Sequence, residues 1–401
     1  MNKFLVIIFT VSSLVIVITI VSIIMRPPPT FVAPSEFNFA AVGDWGCTDD
    51  TTNTVDNIID KNPELVLALG DFSYEPTADC WLDIIQPIDN TIDNAMKIVI
   101  GNHEVEDLQN YMNHFGLTKQ YYSFDIKNVH FIALGTEEEY LDFSNDIAKE
   151  QLAFVKSDLE KASTNPDIDW IIPFFHRLMY YDDNGECDNL VDEYDHNLVD
   201  LYHPLFEKYG VNLVLFGHAH TYERTYSLKF NFGNSEQPIV TSEDPSNYRS
   251  EDGLVIATVG TGGAKFTQTC LIPELAAVQY ANLFGFLNVD VSADGTKLVG
   301  TFYDNADGEI KDTFTITKSS VPSAEKENAD DNNDHENKQK MTKGELQSES
   351  QKDNPATDEE VSTATESSEK DGNEELSIEN QDNEYEYDIG LDNIDSYINI
   401  G

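Results

Sequence analysis

The stretch Leu65-Val66-Leu67-Ala68-Leu69-Gly70-Asp71-Phe72-Ser73-Tyr74 passes from five apolar residues through a glycine to an aspartate and a tyrosine. So short an apolar run, closed by glycine, is predicted to be a buried strand that delivers Asp71 and Tyr74 to the end of a sheet. An aspartate placed there has two oxygens and can bridge two cations. A phenolate three residues on can bind one of them. Taken alone, an acidic residue after a strand is more often a helix cap. Its company along the chain changes that.

Four further blocks share this build. Phe37 to Val42 runs into Gly43-Asp44-Trp45-Gly46, and Lys97 to Ile100 runs into Gly101-Asn102-His103-Glu104. Trp170 to Phe175 ends in His176, and Asn212 to Phe216 ends in Gly217-His218-Ala219-His220. Asp44, Asp71, Tyr74, Asn102, His176, His218 and His220 offer oxygen and imidazole nitrogen and no thiolate. That donor set suits iron, zinc or manganese rather than a structural cysteine zinc site.

The ordered set G-D-x-G, G-D-x-x-Y, G-N-H-E, a strand ending in His, and G-H-x-H resembles the calcineurin-like metallophosphoesterases, and Tyr74 narrows the resemblance to the purple acid phosphatases. It covers about Phe37 to Lys318. The resemblance implies an α+β fold, a four-layer αββα sandwich of two mixed β-sheets with the metals at one edge. It implies Fe3+ held by Asp44, Asp71, Tyr74 and His220, and a divalent ion (Fe2+, Zn2+ or Mn2+) held by Asp71, Asn102, His176 and His218. Sharing Asp71 would set the ions about 3.5 to 4 Å apart. The implied activity is an acid phosphatase that hydrolyses small phosphate monoesters by in-line attack of a metal-bound hydroxide. His103 would serve as general acid or as a cation on the phosphoryl oxygens, with Glu104 orienting it. Alternatives are a phosphodiesterase using the same metals, or a non-catalytic surface-display protein that keeps the fold.

One departure follows His176, where many relatives read H-R-P-x-Y and this chain reads His176-Arg177-Leu178-Met179-Tyr180. Arg177 is expected either at the substrate phosphate or in a surface ion pair. Glu223 and Arg224, which continue the G-H-x-H block, are expected to support the ligands from behind. Thr261-Gly262-Gly263 sits on a late loop whose backbone could approach the site. The other histidines, His114, His130, His196, His203 and His335, have no motif context and are expected to be structural or solvent-facing.

Within 37–318, strand-like runs alternate with helical patterns. Asp146 to Ser163 carries Ala148, Leu152, Val155, Leu159 and Ala162 on one stripe and is predicted to be a core-facing helix. Tyr121 to Ile126 and Val129 to Leu134 form a predicted hairpin. Leu254 to Val259, Gly285 to Val291, Lys297 to Asp304 and Lys311 to Thr317 are predicted strands, with Asp294-Gly295 and Asp307-Gly308 as turns.

The two ends read differently. Phe4 to Met25 holds no charged residue and is long enough for a membrane helix, so residues 1–26 are expected to be a signal anchor or a cleaved signal peptide. Residues 27–36 are a proline-rich spacer. Only Arg26 follows the apolar run, while Lys3 and the amino terminus precede it. This places the catalytic part outside the cytoplasm, or secreted if the segment is cut. Residues 319–401 form an acidic tail, expected to be disordered; from 321 on, 24 acidic residues face 6 lysines. Its apolar last residues are expected either to dock an envelope partner or to stay solvated. With a net charge of −49 on 401 residues, the chain would repel nucleic acid, and no such partner is expected. Cys47, Cys80, Cys187 and Cys270 show no C-x-x-C spacing. Cys47 and Cys80, close behind Asp44 and Tyr74, are expected to pair as a disulfide or to remain buried thiols.

Overall fold

The computed structural model describes residues 37–91, 96–182, 187, 190 and 194–318. The expected anchor, spacer and acidic tail lie outside these residues. Among the described residues, no helix is long and apolar enough to cross a membrane.

In chain order the strands are β1 Phe37–Val42, β2 Leu65–Ala68, β3 Met96–Ile98, β4 Tyr122–Ile126, β5 Val129–Ala133, β6 Trp170–Phe174, β7 Leu213–Phe216 and β8 Tyr222–Thr225. They continue with β9 Ser227–Lys229, β10 Ile239–Ser242, β11 Asn247–Arg249, β12 Val255–Val259, β13 Ala276–Tyr280, β14 Gly285–Val291, β15 Lys297–Asp304 and β16 Ile310–Thr317. The α-helices are α1 Asp49–Lys61, α2 Asp79–Thr91, α3 Leu108–His114, α4 Glu138–Leu141, α5 Asp146–Thr164 and α6 His203–Lys208. Two seven-stranded mixed sheets result, in the orders β11-β16-β15-β14-β1-β2-β3 and β13-β8-β12-β7-β6-β5-β4, beside a small β9-β10 pair. The predicted hairpin is the antiparallel β4-β5 pair, and the predicted late strands are β12 and β14 to β16.

Local chemistry sets the helix ends. The Thr48 side chain accepts from Thr51 N at the start of α1, where Asp49 and Asp50 also complement the helix dipole. Asn145 does the same for Ala148 N at the start of α5, whose five stripe residues are buried as expected. The chain leaves α5 at Asn165, ahead of Pro166.

The sheets face each other through aromatic side chains. Phe39 of β1 meets Phe131 of β5 edge-on, with ring centroids 5.1 Å apart, in one core that also takes in Leu67, Phe174 and Leu215. Burying each such phenylalanine contributes about 1.5 to 3 kcal/mol. Because β1-β2-β3 run parallel in one sheet and β5-β6-β7-β12 in the other, the loops leaving their carboxyl ends emerge at common edges. Ligands of open α/β sheets bind at such edges.

Candidate metal centre

Every block singled out in the sequence sits on one of these edge loops, and the loops are bonded together. Asp44 N donates to Gly70 O at 3.0 Å and Trp45 N to Asp71 O at 2.8 Å. His218 N donates to Asp44 Oδ2 at 2.8 Å. The side chains then fall into two groups that share Asp71. Around the Tyr74 hydroxyl lie His220 Nε2 at 2.8 Å, Asp44 Oδ1 at 3.2 Å and Asp71 Oδ2 at 3.3 Å. Around His176 Nε2 lie His218 Nδ1 at 3.0 Å, Asn102 Oδ1 at 3.2 Å and Asp71 Oδ2 at 3.3 Å. The trios Asp44-Asp71-His220 and Asp71-His176-His218 are each compact enough to hold one cation.

The second nitrogen of each imidazole fits the chemistry of such a centre. His176 Nδ1 donates to Leu69 O at 2.8 Å, while His218 Nε2 meets Leu190 O and His220 Nδ1 meets Lys265 O. Each backbone carbonyl claims the ring N–H, which leaves the inward nitrogen with a bare lone pair. Were both rings neutral, His176 Nε2 and His218 Nδ1 would aim lone pairs at one another, so the 3.0 Å contact calls for a positive charge between them, a proton on His176 or a metal ion. The ionisation balance reflects that demand. Burial alone would lower His176, but the Asp71 carboxylate outweighs it and pushes the imidazole up to about 10. Burial and then the charge on His176 hold His218 well below its ordinary value. Burial would raise Asp71, yet His176, His218 and His103 hold it below the carboxylate range. Burial, Asp44 and Asp71 push the Tyr74 phenol far up, so ionising it requires a cation at its oxygen. Hard oxygen donors, oriented imidazoles and this unmet demand for positive charge fit metal ions.

The backbone is bent to build the centre. Seven non-glycine residues among those described adopt left-handed φ, and four of them are Asp44 (57°), Asp71 (53°), Tyr74 (56°) and His218 (71°). Such conformations cost about 1 to 3 kcal/mol each and gather where function requires them. Close packing also explains a motif glycine: a Cβ on Gly101 would overlap Asp71 Oδ1 and come within 2.7 Å of Asp71 N.

The supporting residues meet expectation unevenly. The side chain of His103 is 44% exposed, its Nε2 lies 3.9 Å from Asp71 Oδ2 and its ring packs on Tyr74, while the His103 backbone N–H donates to Asp71 Oδ1 at 3.0 Å. Glu104 does not orient that ring. Its buried carboxylate accepts from Asp71 N, Phe72 N and Gly101 N at 2.7 to 2.8 Å, locking two ligand loops together. Arg177 does form an ion pair, but a buried one rather than one at the surface. Its Nη2 lies 2.9 Å from Glu137 Oε2 and its Nη1 4.0 Å from Asp195.

Alternation along β8 separates Glu223 from Arg224. Glu223 accepts from Cys270 N and Leu271 N at 2.7 Å, anchoring the loop whose Lys265 and Thr267 hold His220. Arg224 instead pairs with Asp312 at 2.8 Å, away from the ligands. The Thr261-Gly262-Gly263 loop does reach the site, through Gly262 N to Gly43 O and Ala264 N to Asp44 O, both 2.9 Å. Cys47 pairs with Cys80, the disulfide of the two alternatives, and Cys187 pairs with Cys270. The second pair lies 83 residues apart with no spacing motif, although an even number of cysteines in an exported chain would suggest two bridges.

The comparisons with known proteins agree with this construction. The family model for calcineurin-like phosphoesterases matches residues 37–222. Purple acid phosphatase 23 of Arabidopsis thaliana is 26% identical over 268 residues, covering 56% of this chain and 52% of its own length. Acid phosphatase type 7 of Homo sapiens is 27% identical over 280 residues, covering 64% of this chain and 61% of its own length. The chain thus spans between half and two thirds of the length of these curated relatives. A purple acid phosphatase structure from yellow lupin (Lupinus luteus) seeds shares the fold, with a TM-score of 0.58 at 21% identity, covering 72% of this chain and 55% of that one. Residues 37–222 thus carry a calcineurin-like phosphoesterase domain, and the chain's curated homologues include purple acid phosphatases.

Proposed function

We propose that this domain hydrolyses phosphate monoesters at a two-metal centre, with Asp44, Asp71, Tyr74 and His220 around a ferric ion and Asp71, Asn102, His176 and His218 around Fe2+, Zn2+ or Mn2+. The observation that carries the proposal is the pair of oxygen and imidazole clusters joined through Asp71. Ions held there would supply Lewis acidity toward phosphoryl oxygens and lower the pKa of water. The chain's own residues do the rest. Asp71 is kept rigid by Glu104, so the spacing of the two sites is set before substrate arrives. His103, half-exposed beside Tyr74 and Asp71, is the group positioned to give a proton to the departing alcohol oxygen. Two disulfides support an oxidising location for the domain, outside the cytosol.

The test is metal analysis, the visible spectrum and hydrolysis of an aryl phosphate by the purified full chain, beside Tyr74→Phe. Iron, a broad visible band lost in the variant, and turnover are expected. Colourless but active metalloprotein would replace iron with zinc or manganese. Folded protein that binds no metal and turns over no ester would sink the proposal.

A further inference from the structure

An excess of negative charge is an obstacle for a protein that takes anions. At −49, the chain's field opposes the approach of any phosphate ester. Cations near the centre are few. Arg177 adjoins His176 but is engaged by Glu137, and Arg224 is buried against Asp312. Lys265 differs from both. It is exposed and forms no ion pair among the described residues.

Its backbone is stapled to the centre from both sides. Ala264 N donates to Asp44 O at 2.9 Å, Lys265 O meets His220 Nδ1, and His220 N donates to Thr267 Oγ1 at 3.1 Å. The Lys265 backbone is thereby held beside two of the proposed ligands, and its exposed side chain starts from that point. The carbonyl orients His220, which leaves the side chain free for another task.

We infer that Lys265 is a specificity-determining residue whose ammonium draws the doubly charged phosphoryl group of a monoester to the centre, favouring monoesters over singly charged diesters. The inference rests on the phosphatase reading above. A monoester is mostly a dianion at pH 7, since its second pKa is about 6. Coulomb attraction scales with charge, so a preference of about threefold for a monoanion becomes about tenfold for a dianion.

The experiment compares kcat/KM for an aryl phosphate monoester and a bis-aryl diester at pH 7, using full-length metal-loaded protein. Lys265→Met is set beside Lys297→Met, which removes an equal charge from an exposed site on β15. Lys265→Met should lower monoester kcat/KM about tenfold and diester kcat/KM about threefold, with both losses shrinking as salt rises. Its metal content and thermal stability should match the parent, and Lys297→Met should change neither substrate. If Lys265→Met lowers both substrates equally, or no more than Lys297→Met does, the role of Lys265 is refuted while the phosphatase reading stands. Turnover of neither ester by the metal-loaded parent overturns that reading and this inference together.

Discussion

Replacing Gly101 by alanine should damage the centre by steric contact alone. Gly101 has φ −108° and ψ −176°, ordinary extended backbone, so alanine brings no conformational penalty. Its Cβ would overlap Asp71 Oδ1 and sit 2.7 Å from Asp71 N and 2.9 Å from His176 Cδ2, where ordinary contact begins near 3.4 Å. Both groups must retreat by half an ångström or more, yet neither is a loose side-chain end. Asp71 N is held by Glu104 and the His176 ring by Leu69 O. Overpacking of this kind costs about 1 to 3 kcal/mol. Displacing the shared carboxylate should also weaken metal binding about 10- to 100-fold and turnover about 100-fold.

The assays are denaturant unfolding, metal titration against a competing chelator and aryl phosphate hydrolysis. Gly116→Ala is the control: its φ is +64° and nothing lies within 4 Å of the added Cβ. That variant should lose some stability and keep its metals. Should Gly101→Ala bind both metals with parental affinity, or should Gly116→Ala lose them equally, the steric argument fails.

Two further outcomes follow from the structure. His130, buried between Asp125 at 2.6 Å and Asp158 at 2.9 Å, would be lowered by burial, but its bonds to Asp158 and Asp125 outweigh that and raise it. Stability from a raised histidine is complete below its unfolded pKa of about 6.5 and is lost as pH rises through the higher folded value. Unfolding of metal-free His130→Gln should therefore show a larger deficit at pH 6 than at pH 10, and equal deficits would contradict the pairing. The Cys187–Cys270 bridge spans 83 residues, so loop-closure entropy puts its contribution at about 4 to 5 kcal/mol. Denaturant unfolding of the double serine variant should show that loss, and a change under 1 kcal/mol would mean the unfolded chain is already constrained there.

The strand runs, helix α5, the β4-β5 hairpin and the candidate ligands were legible in the residues, because each is local. A strand and the ligand that ends it lie within a few positions of one another, so five blocks in order reveal five strand ends bearing donors. Tertiary structure alone decided what stands behind them. Glu104 bonds a backbone 33 residues away, Arg177 pairs with a carboxylate 40 residues away, and Lys265 meets His220 across 45 residues. None of these separations follows a helical or strand period, since sheet order, not chain distance, sets them. The same holds for the left-handed backbone at Asp44, Asp71, Tyr74 and His218. Aspartate and histidine tolerate that region better than most residues, but it is the packed loops around the centre that impose it.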